Sequence, residues 1–425
     1  MGEGDGFQSF LPGPLNPSPM EEIVLFVLHY GVINSIMSLN MELLTRFLQI
    51  PRDHFFLMGP RGTGKSSWVR EAFPEAFYVD LLNPETLRTL VARPERLVEW
   101  IEAKPYLKQV IIDEVQKIPE LLEVSHLLIE RKKELQFIFT GSSARKLKRA
   151  GTNLLGGRAT KKTLHPFMAC ELGEKFNFQE SLKVGMLPVV YGSQDRFEMA
   201  SAYSGLYLKE EIAAEAMVRN IGAFARFLEA ISFSQASVIN LSNIARECEV
   251  NRKTVEGYLD VLEDLLLAFR IPVFSKRAKR ALASNQKFFF FDVGVFRSNR
   301  PSGPFDRVSE IEGVALEGIV AQHLRAWCDY RKGNHQLYFW HTRSKVEVDF
   351  IVYGEEGLIA IEVKNTDKVK PEDSRGLRIF AEDYPESKKI VLYRGKERVK
   401  QGSILWIPCE DFLRELNPDH KIHFS

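Results

Sequence analysis

The run GPRGTGKSS, residues 59–67, constrains the fold of this chain more than any other stretch. It follows a short apolar run at 54–58 and precedes a helical pattern that continues to Phe73. Glycines at these positions let backbone N–H groups turn inward around an anion, and a helix that opens at Lys65 adds its positive dipole end. The segment therefore predicts a strand, a phosphate-binding loop and a helix.

The residue types of this loop fit a nucleoside triphosphate with a magnesium ion. The Lys65 ammonium is expected to reach the β- and γ-phosphates, and the Ser66 hydroxyl to ligate Mg²⁺. The other predicted nucleotide-binding residues of the loop are Gly59, Pro60, Arg61, Gly62, Thr63, Gly64 and Ser67. The alternative is a chance glycine turn before a helix, which the four fixed positions and the flanking pattern disfavour. We therefore expect ATP and Mg²⁺ as cofactors.

Two later strands supply candidates for the rest of this site. The apolar run 109–112 leads into Asp113, which is expected to lie near the Mg²⁺, and into Glu114, which is suited to polarise the attacking water. A solvated strand end is the alternative for such an acid pair. The run 137–143 ends in hydroxyls that can sense the γ-phosphate or orient the water. Thr140, Ser142 and Ser143 all remain candidates, and Ser142 is included in the predicted site.

An arginine that reaches a neighbouring subunit's γ-phosphate can raise the rate by roughly 10³ to 10⁵. Arg158 and Arg145 are candidates for this catalytic role, and a solvated surface arginine is the alternative for each. The alternation of strands and helices up to residue 185 predicts a parallel sheet covered on both faces.

Four blocks of sequence together resemble the prokaryotic AAA-superfamily ATPases that carry a C-terminal domain of unknown function. The blocks are GPRGTGKS, VIIDEVQKIPELL, FIFTGSSARKLKRAGTNLLGGRA and HPFMACEL. The resemblance covers the chain to near its C-terminus, except for the first forty residues. It implies an ATPase core, formation of a ring or another homo-oligomer, and a C-terminal nuclease-like module.

A chain of 425 residues is too long for one core. We predict an N-terminal extension at 1–40, an AAA-type P-loop ATPase domain at 41–185, a helical and winged-helix domain at 186–284, and a nuclease-like α/β domain at 285–425. The net charge of +1 means that any contact with nucleic acid must come from local basic patches. Four well-separated cysteines match no zinc or disulfide spacing, which favours a cytoplasmic protein.

The N-terminal extension contains an uncharged stretch, 23–41, whose length would permit a membrane span. Its polar residues and the absence of a basic flank favour two other readings, a packed helix or a translation start at Met41. A membrane anchor is therefore disfavoured. The following residues, 41–49, predict an amphipathic helix.

The middle of the chain predicts a helix-turn-helix, with helices at 241–248 and 252–266. Asn251 is the expected N-cap of the second helix, whose first turn exposes Arg252, Lys253 and Thr254, the candidate DNA-binding residues. A strand at 269–274 followed by basic residues at 276–280 could form a wing. A winged helix used only for packing is the alternative.

The C-terminal part contains a predicted hairpin that places acids close together. Strands at 346–353 and 358–364 flank a turn at 354–357, so that paired residue numbers sum to 711. Asp349 then faces Glu362, Glu347 faces Lys364, and alternation puts all four on one face. Two such close carboxylates repel each other unless a hard cation bridges them.

This arrangement resembles the restriction-endonuclease-like superfamily, whose pattern is an acid on a first helix, an acid on one strand and Glu-x-Lys on the next. Here the positions are filled by Glu317, Asp349, Glu362 and Lys364, which implies metal ligation by the three acids and catalytic assistance by Lys364. A structural hairpin with a surface charge pair is the alternative, and a bulge would shift the register. The whole chain predicts either an ATPase coupled to DNA cleavage or a nucleotide-controlled switch that binds DNA or a protein without cutting. A purely structural ATP-binding protein is a third reading.

Overall fold

The computed structural model describes residues 44–143, 157–207, 212, 220–275 and 285–422. Strands β1–β14 and helices α1–α15 are numbered in chain order over these residues. The predicted N-terminal extension, Arg145 and the basic run 276–280 lie outside them. No helix in the described part of the chain is both long enough and apolar enough to cross a bilayer.

The first structural unit is a five-stranded parallel sheet in the order β2-β3-β4-β1-β5. Its strands are β1 (His54–Met58), β2 (Phe77–Asp80), β3 (Gln109–Asp113), β4 (Gln136–Gly141) and β5 (Ala159–Thr163). The helices between them are α1 (Lys65–Ala72), α2 (Pro84–Ala92), α3 (Arg96–Glu102) and α4 (Leu121–Arg131). This unit confirms the predicted α/β alternation with a parallel central sheet.

The carboxyl ends of β1, β3 and β4 meet at one edge of this sheet. Leu57 on β1 is level with Thr140 on β4, and Asp80 on β2 is level with Asp113 on β3. Apolar side chains of these strands are fully buried with those of α2, α3 and α4 in one core. The packed strands therefore bring the phosphate loop, the acid pair and the hydroxyl-rich end of β4 together.

A run of short helices follows the sheet and contacts the phosphate loop. It contains α5 (Ala169–Leu172), α6 (Phe178–Val184), α7 (Pro188–Tyr191) and α8 (Arg196–Ala202), with a π-helical turn at Tyr203–Tyr207. The amphipathic helix predicted at 41–49 is wrong in its described part, because residues 45–53 form no helix. Arg46 lies there and is buried in an ion pair with Glu171, so tertiary contacts override local helical periodicity.

The middle of the chain contains helices packed on a small antiparallel sheet with the order β6-β8-β7. The elements are α9 (Ile221–Ser232), β6 (Ser237–Val238), α10 (Leu241–Glu247), α11 (Arg252–Asp264), β7 (Ala268–Ile271) and β8 (Lys287–Phe290). The two helices predicted here are present, and Asn251 caps α11 because its side chain accepts a hydrogen bond from the Thr254 N–H. Strand β8 lies in the apolar run 286–293, within the range predicted for the C-terminal domain, but it pairs with β6 and β7 in this small sheet.

The C-terminal part is a six-stranded mixed sheet with the order β13-β14-β12-β11-β10-β9. Its strands are β9 (Gln336–His341), β10 (Glu347–Gly354), β11 (Gly357–Lys364), β12 (Lys388–Tyr393), β13 (Val399–Gln401) and β14 (Ile404–Pro408). The helices are α12 (Val293–Asn299), α13 (Val308–Tyr330), α14 (Arg375–Asp383) and α15 (Cys409–Glu415). Helix α13 contacts β8 as well as β9, β10 and β11, so it joins the small sheet to this one.

Candidate functional site

The predicted phosphate loop has the backbone conformation that its glycines allow. Gly62 and Gly64 have φ values of 81° and 85°, which favour glycine, and α1 begins directly at Lys65. The Lys65 ammonium is buried and donates to the carbonyl oxygens of Gly59 (2.8 Å) and Pro60 (3.1 Å). A positive side chain and the start of a helix therefore converge on the loop, while Ser67 lies on the exposed side of α1.

Contacts from later parts of the chain hold the loop in place. The Val189 N–H donates to the Gly62 carbonyl (3.2 Å), and the Tyr203 hydroxyl donates to the Arg61 carbonyl (2.9 Å). A Cβ at Gly59 would lie 2.6 Å from the carbonyl oxygen of Leu164, so only glycine fits there without a backbone shift. The hydroxyl of Thr63 is fully buried and donates to the Pro60 carbonyl.

Asp113 is the centre of a group of hydroxyls at the end of β3. Ser66 donates to its Oδ1 at 3.1 Å, Thr140 also donates to Oδ1, and Tyr78 donates to Oδ2. Burial, and then the charge of Asp113, raises the pKa of Tyr78, so this phenol stays protonated and remains a donor. The contact between Ser66 and Asp113 joins the two predicted magnesium ligands. Tyr78, which the sequence analysis missed, fixes the second carboxylate oxygen.

Glu114 is held in a left-handed backbone conformation, with φ of 61°. Its N–H donates to the Thr140 hydroxyl (3.0 Å), and its carboxylate accepts from the amide of Gln116. The same amide nitrogen lies 3.1 Å from the Ser142 hydroxyl. A non-glycine residue in this region is strained, and such strain is concentrated at functional sites. Gln116 therefore links the predicted water-activating acid to the predicted γ-phosphate sensor, a role that the sequence analysis did not identify.

The donor set around Ser66 and Asp113 fits Mg²⁺. Magnesium usually takes one or two protein oxygens together with phosphate and water oxygens, so a hydroxyl and one carboxylate 3.1 Å apart are sufficient. No group of three or more His, Cys, Asp or Glu side chains in the described part of the chain has the geometry to hold a metal alone.

Arg158 lies away from the nucleotide loop of its own chain. It immediately precedes β5, whose first residue is level with His54 at the start of β1, whereas the loop follows the end of β1. Its guanidinium contacts Glu130 at 2.7 Å, and both side chains are about half exposed. Arg158 therefore does not join the Ser66 and Asp113 site within one chain.

In the C-terminal part, acids from α13 and β10 meet around a lysine that the sequence analysis missed. The Lys287 ammonium lies 2.5 Å from Glu317, 2.5 Å from Glu347 and 3.2 Å from Asp349. Its side chain is only 2% exposed. Burial lowers the pKa of Lys287, but the three carboxylates outweigh this effect and raise it well above the usual range. A charged ammonium is therefore part of this cluster.

The hairpin register confirms part of the prediction and corrects another part. Residue numbers sum to 711 from the pair Gly354–Gly357 to the pair Phe350–Ile361, where the ladder ends. A bulge shifts β10 against β9 between Val348 and Ile351. Asp349 then uses its Oδ2 to accept the Val363 N–H at 2.8 Å. The backbone pairing of Asp349 with Glu362 is consequently replaced by a side-chain contact to the next residue of β11.

The predicted facing of Glu347 and Lys364 is also corrected. Glu347 contacts Lys287, whereas the Lys364 ammonium lies 2.5 Å from Glu362. Burial and then Asp349 raise the pKa of Glu317 to about 8, and the same two causes raise the pKa of Glu362 well above its usual range. Asp349 is therefore the common neighbour of two half-sites, one with Lys287 and one with Lys364.

The predicted DNA-binding residues lie at the start of α11. Arg252 and Lys253 are exposed, and Arg252 contacts Glu256 one turn later at 3.0 Å. Thr254 is partly buried, and its hydroxyl donates to the cap residue Asn251 at 3.0 Å. Arg252 and Lys253 are thus available for a partner, while Thr254 has a structural role in the cap.

Comparison with known protein families places an AAA domain at residues 52–173. Residues 175–301 match a domain of unknown function, DUF8612, and residues 312–412 match another, DUF4143. The chain therefore contains an AAA domain that includes the phosphate loop, Asp113, Glu114 and Ser142. The C-terminal match carries no assigned function, so the nuclease-like interpretation stays a prediction.

Relatives with similar sequences are uncharacterized proteins of Mycobacterium bovis and Mycobacterium tuberculosis. Each is 24% identical over 369 residues, which cover 84% of this chain and 80% of the relative. Among solved structures, the replication initiator DnaA bound to AMPPCP and single-stranded DNA is 14% identical, with a TM-score of 0.25, over 56% of this chain and 87% of that one. Protein VC1899 of Vibrio cholerae is 12% identical, with a TM-score of 0.20, over 85% of this chain and 96% of that one.

Proposed function

We propose that this protein is a Mg²⁺-dependent ATPase whose C-terminal domain acts on DNA. The observation that carries the ATPase assignment is the position of Glu114. It follows Asp113 at the edge of the sheet where the phosphate loop leaves β1, and the Gln116 amide links it to Ser142. The assignment is supported by a carboxylate, the Ser66 and Asp113 oxygen pair and a hydroxyl that share one edge of the sheet with the phosphate loop.

Each residue has a defined task in this proposal. The Lys65 ammonium exchanges its two carbonyl contacts for the β- and γ-phosphate oxygens. Ser66 and Asp113 hold Mg²⁺, which when bound neutralises charge on the phosphates. Glu114 accepts the proton of the attacking water, and Ser142 contacts the γ-phosphate through its hydroxyl.

Glu114→Gln tests the ATPase assignment because it keeps the shape and removes the base. We expect ATP affinity close to that of the wild type and a loss of turnover of about 10²- to 10⁴-fold. Turnover is measured as phosphate release, and ATP binding by calorimetry. Glu120→Gln is the matched control, since Glu120 is exposed at the start of α4 and makes no side-chain contact to the site. Equal turnover in Glu114→Gln and wild type would remove Glu114 from the mechanism.

The trans role of Arg158 requires a homo-oligomer, which we include in the proposal. The trans role is supported by the exposure of Arg158, which is about half exposed, and by its position beside the start of β1, at the opposite end of that strand from the loop. Mixing Lys65→Ala subunits with Arg158→Ala subunits tests this. The mixture should hydrolyse ATP although each variant alone is slower by up to roughly 10³-fold. A mixture that is no faster than its two components contradicts the trans role.

A second candidate function, DNA cleavage, is favoured by the convergence of Glu317, Asp349 and Glu362. Acids on one helix and two strands, with Lys364 beside Glu362, are the groups that metal-assisted phosphodiester hydrolysis uses. In this conformation the carboxylates do not fit a divalent cation, because the Lys287 ammonium lies within 3.2 Å of Asp349 and nearer to Glu317. The chemistry therefore requires a change at Lys287.

Incubation of the full chain with DNA, ATP and Mg²⁺ or Mn²⁺ tests cleavage. Wild type should cut, and Glu362→Ala should leave the DNA intact while it hydrolyses ATP at the wild-type rate. If both proteins hydrolyse ATP and retain DNA but neither cuts, the chain is a nucleotide-controlled switch. If neither hydrolyses ATP, the purely structural reading holds.

DNA contact is proposed at a winged-helix arrangement formed by α9, α10, α11 and the small sheet. Replacing Arg252 and Lys253 with alanine should weaken DNA binding and reduce the dependence of the affinity on salt. Fluorescence anisotropy at several salt concentrations measures both effects. An unchanged affinity would mean that this arrangement serves only for packing.

A further inference from the structure

Lys287 reaches the C-terminal acids from a different sheet. It is the first residue of β8, which pairs with β6 and β7, whereas Glu347 and Asp349 lie on β10. Glu317 comes from α13, the helix that contacts both sheets. The ammonium is thus placed by the middle of the chain into a cluster that belongs to the C-terminal sheet.

The Lys287 ammonium is one of two donors that engage the Asp349 carboxylate. Oδ1 of Asp349 lies 3.2 Å from Lys287, and Oδ2 accepts the Val363 N–H at 2.8 Å, so protein donors use both oxygens. Lys287 also takes up an oxygen of Glu317 and an oxygen of Glu347. While the ammonium stays, both oxygens of Asp349 are engaged, and one oxygen each of Glu317 and Glu347 contacts the ammonium.

Glu362 supplies an independent indication that the cluster is built for a ligand. The residue is 7% exposed, and its Oε1 contacts Lys364. Its other oxygen, Oε2, has no hydrogen-bond partner among the described residues. A buried carboxylate oxygen without a donor is costly unless a proton or a cation satisfies it. The carboxylate with the largest charge effect on Glu362 is Asp349, which Lys287 contacts at 3.2 Å.

We propose that Lys287 is an internal competitor for the cation at this site. With Lys287 in place, the ammonium balances the charges of Glu317, Glu347 and Asp349. A divalent cation is then excluded by the like charge of the ammonium and because both Asp349 oxygens are already engaged. With Lys287 withdrawn, Asp349 Oδ1 and Glu362 Oε2 are available as hard oxygen ligands. This inference rests on the proposed metal site and adds its regulation, because whatever moves β8 against β10 controls access of the metal.

The direct test measures Mn²⁺ binding to the nucleotide-free protein. Binding is detected as a decrease in the electron paramagnetic resonance signal of free Mn²⁺. All variants carry Asp113→Asn, so that the phosphate-loop site does not contribute. Lys287→Met removes the ammonium at nearly constant volume and should bind Mn²⁺ at least about tenfold more tightly than the parent. Lys287→Arg keeps the charge and should show no gain. Adding Asp349→Asn to Lys287→Met should abolish the gain.

A parent and a Lys287→Met variant with equal Mn²⁺ affinity overturn the proposal if thermal melting shows that both are folded. Lys287→Gln replaces Lys287→Met if the apolar side chain prevents folding. A second measurement uses the Asp113→Asn parent, which keeps Lys287 and in which the phosphate-loop site does not contribute. Labelling of lysine amines, read by mass spectrometry, should increase at Lys287 when Mn²⁺ is saturating. Unchanged labelling at Lys287 in the presence of bound Mn²⁺ also overturns the proposal.

Failure of this inference and failure of the cleavage proposal give different results. A gain in Mn²⁺ affinity without any DNA cleavage retains the competition and rejects the nuclease. DNA cleavage by wild type without a gain in Lys287→Met retains the nuclease and rejects the competition.

Discussion

Arg46 makes the buried contacts that join the start of the described chain to the phosphate loop. Its Nε lies 3.1 Å from Glu171, and its guanidinium donates to the carbonyls of Thr63 (3.2 Å) and His165 (2.6 Å). The side chains of Arg46 and Glu171 are 6% and 0% exposed. We predict that Arg46→Met strongly destabilises the protein, because it leaves a buried carboxylate without its countercharge.

The expected loss of unfolding free energy in Arg46→Met depends on the hydrogen bonds that the Glu171 carboxylate keeps. Removing one partner of a buried ion pair costs about 3–5 kcal/mol. The Glu171 carboxylate still accepts from the N–H groups of Phe47 and Met168, both at 2.9 Å, which favours the lower end of that range. We therefore expect a loss of about 3 kcal/mol in the free energy of unfolding. Combining Arg46→Met with Glu171→Gln should recover at least about 1 kcal/mol of it, because no unpaired charge is left.

Urea unfolding, followed by circular dichroism, measures these free energies. The matched control is Arg93→Met, which removes an arginine from an exposed pair with Glu99, where the side chains are 61% and 54% exposed. This control should cost less than about 1 kcal/mol. If Arg46→Met costs no more than Arg93→Met, the buried pair does not stabilise the loop and the reasoning is refuted.

Three further predictions concern single positions. Burial lowers the pKa of His323 to about 4, so the stability that its neutral form contributes is present above about pH 6.5 and is lost as the pH falls towards 4. The urea midpoint should therefore drop more between these pH values in wild type than in His323→Gln. Gly185→Ala should cost more than about 3 kcal/mol in urea unfolding, since φ is 81° and the new Cβ would lie 1.9 Å from Asp292. Tyr78→Phe removes a donor to the Asp113 carboxylate and should raise the Mg²⁺ concentration for half-maximal ATP turnover about tenfold, whereas an unchanged value would exclude Tyr78 from positioning Asp113.

The fold around the phosphate loop was predictable because short stretches of sequence determine its main features. A glycine loop between a strand and a helix has few conformations, and an apolar strand that ends in acids places them at the edge where parallel strands end. The structure confirms this alternation and brings Ser66 to 3.1 Å from Asp113. The sequence did not predict which residue the Thr140 hydroxyl or the Ser142 hydroxyl would contact, because these partners are set by tertiary packing. Thr140 contacts Asp113 and Glu114, and Ser142 contacts Gln116.

The C-terminal half was predicted less completely because one bulge changes what alternation implies. The turn at 354–357 sets the register correctly as far as Phe350. Strand β10 also pairs with β9 on its other side. Its register against β9 shifts by one residue between Val348 and Ile351, where β10 has a bulge. Both Val348 and Ile351 pack in the same core, which strict alternation over three residues does not allow. The alternation of side chains along β10 and β11 predicts how these two strands pair. It does not predict the bulge that pairing with β9, the other neighbour of β10, introduces.

The contact between Lys287 and Glu317 could have been predicted from the sequence. The run that contains Lys287, QKFFFFDV, reads as a buried strand, and a lysine inside such a strand is as unusual as Glu317 among the apolar residues of α13. Of these two residues, only Glu317 was given a predicted role, as a metal ligand. A buried charge requires compensation, so an unexplained acid and an unexplained base in one domain are candidates to be partners of each other. Their contact at 2.5 Å agrees with this rule. It also changes the chemistry inferred, because acids that already hold an internal cation bind an external one only in competition with it.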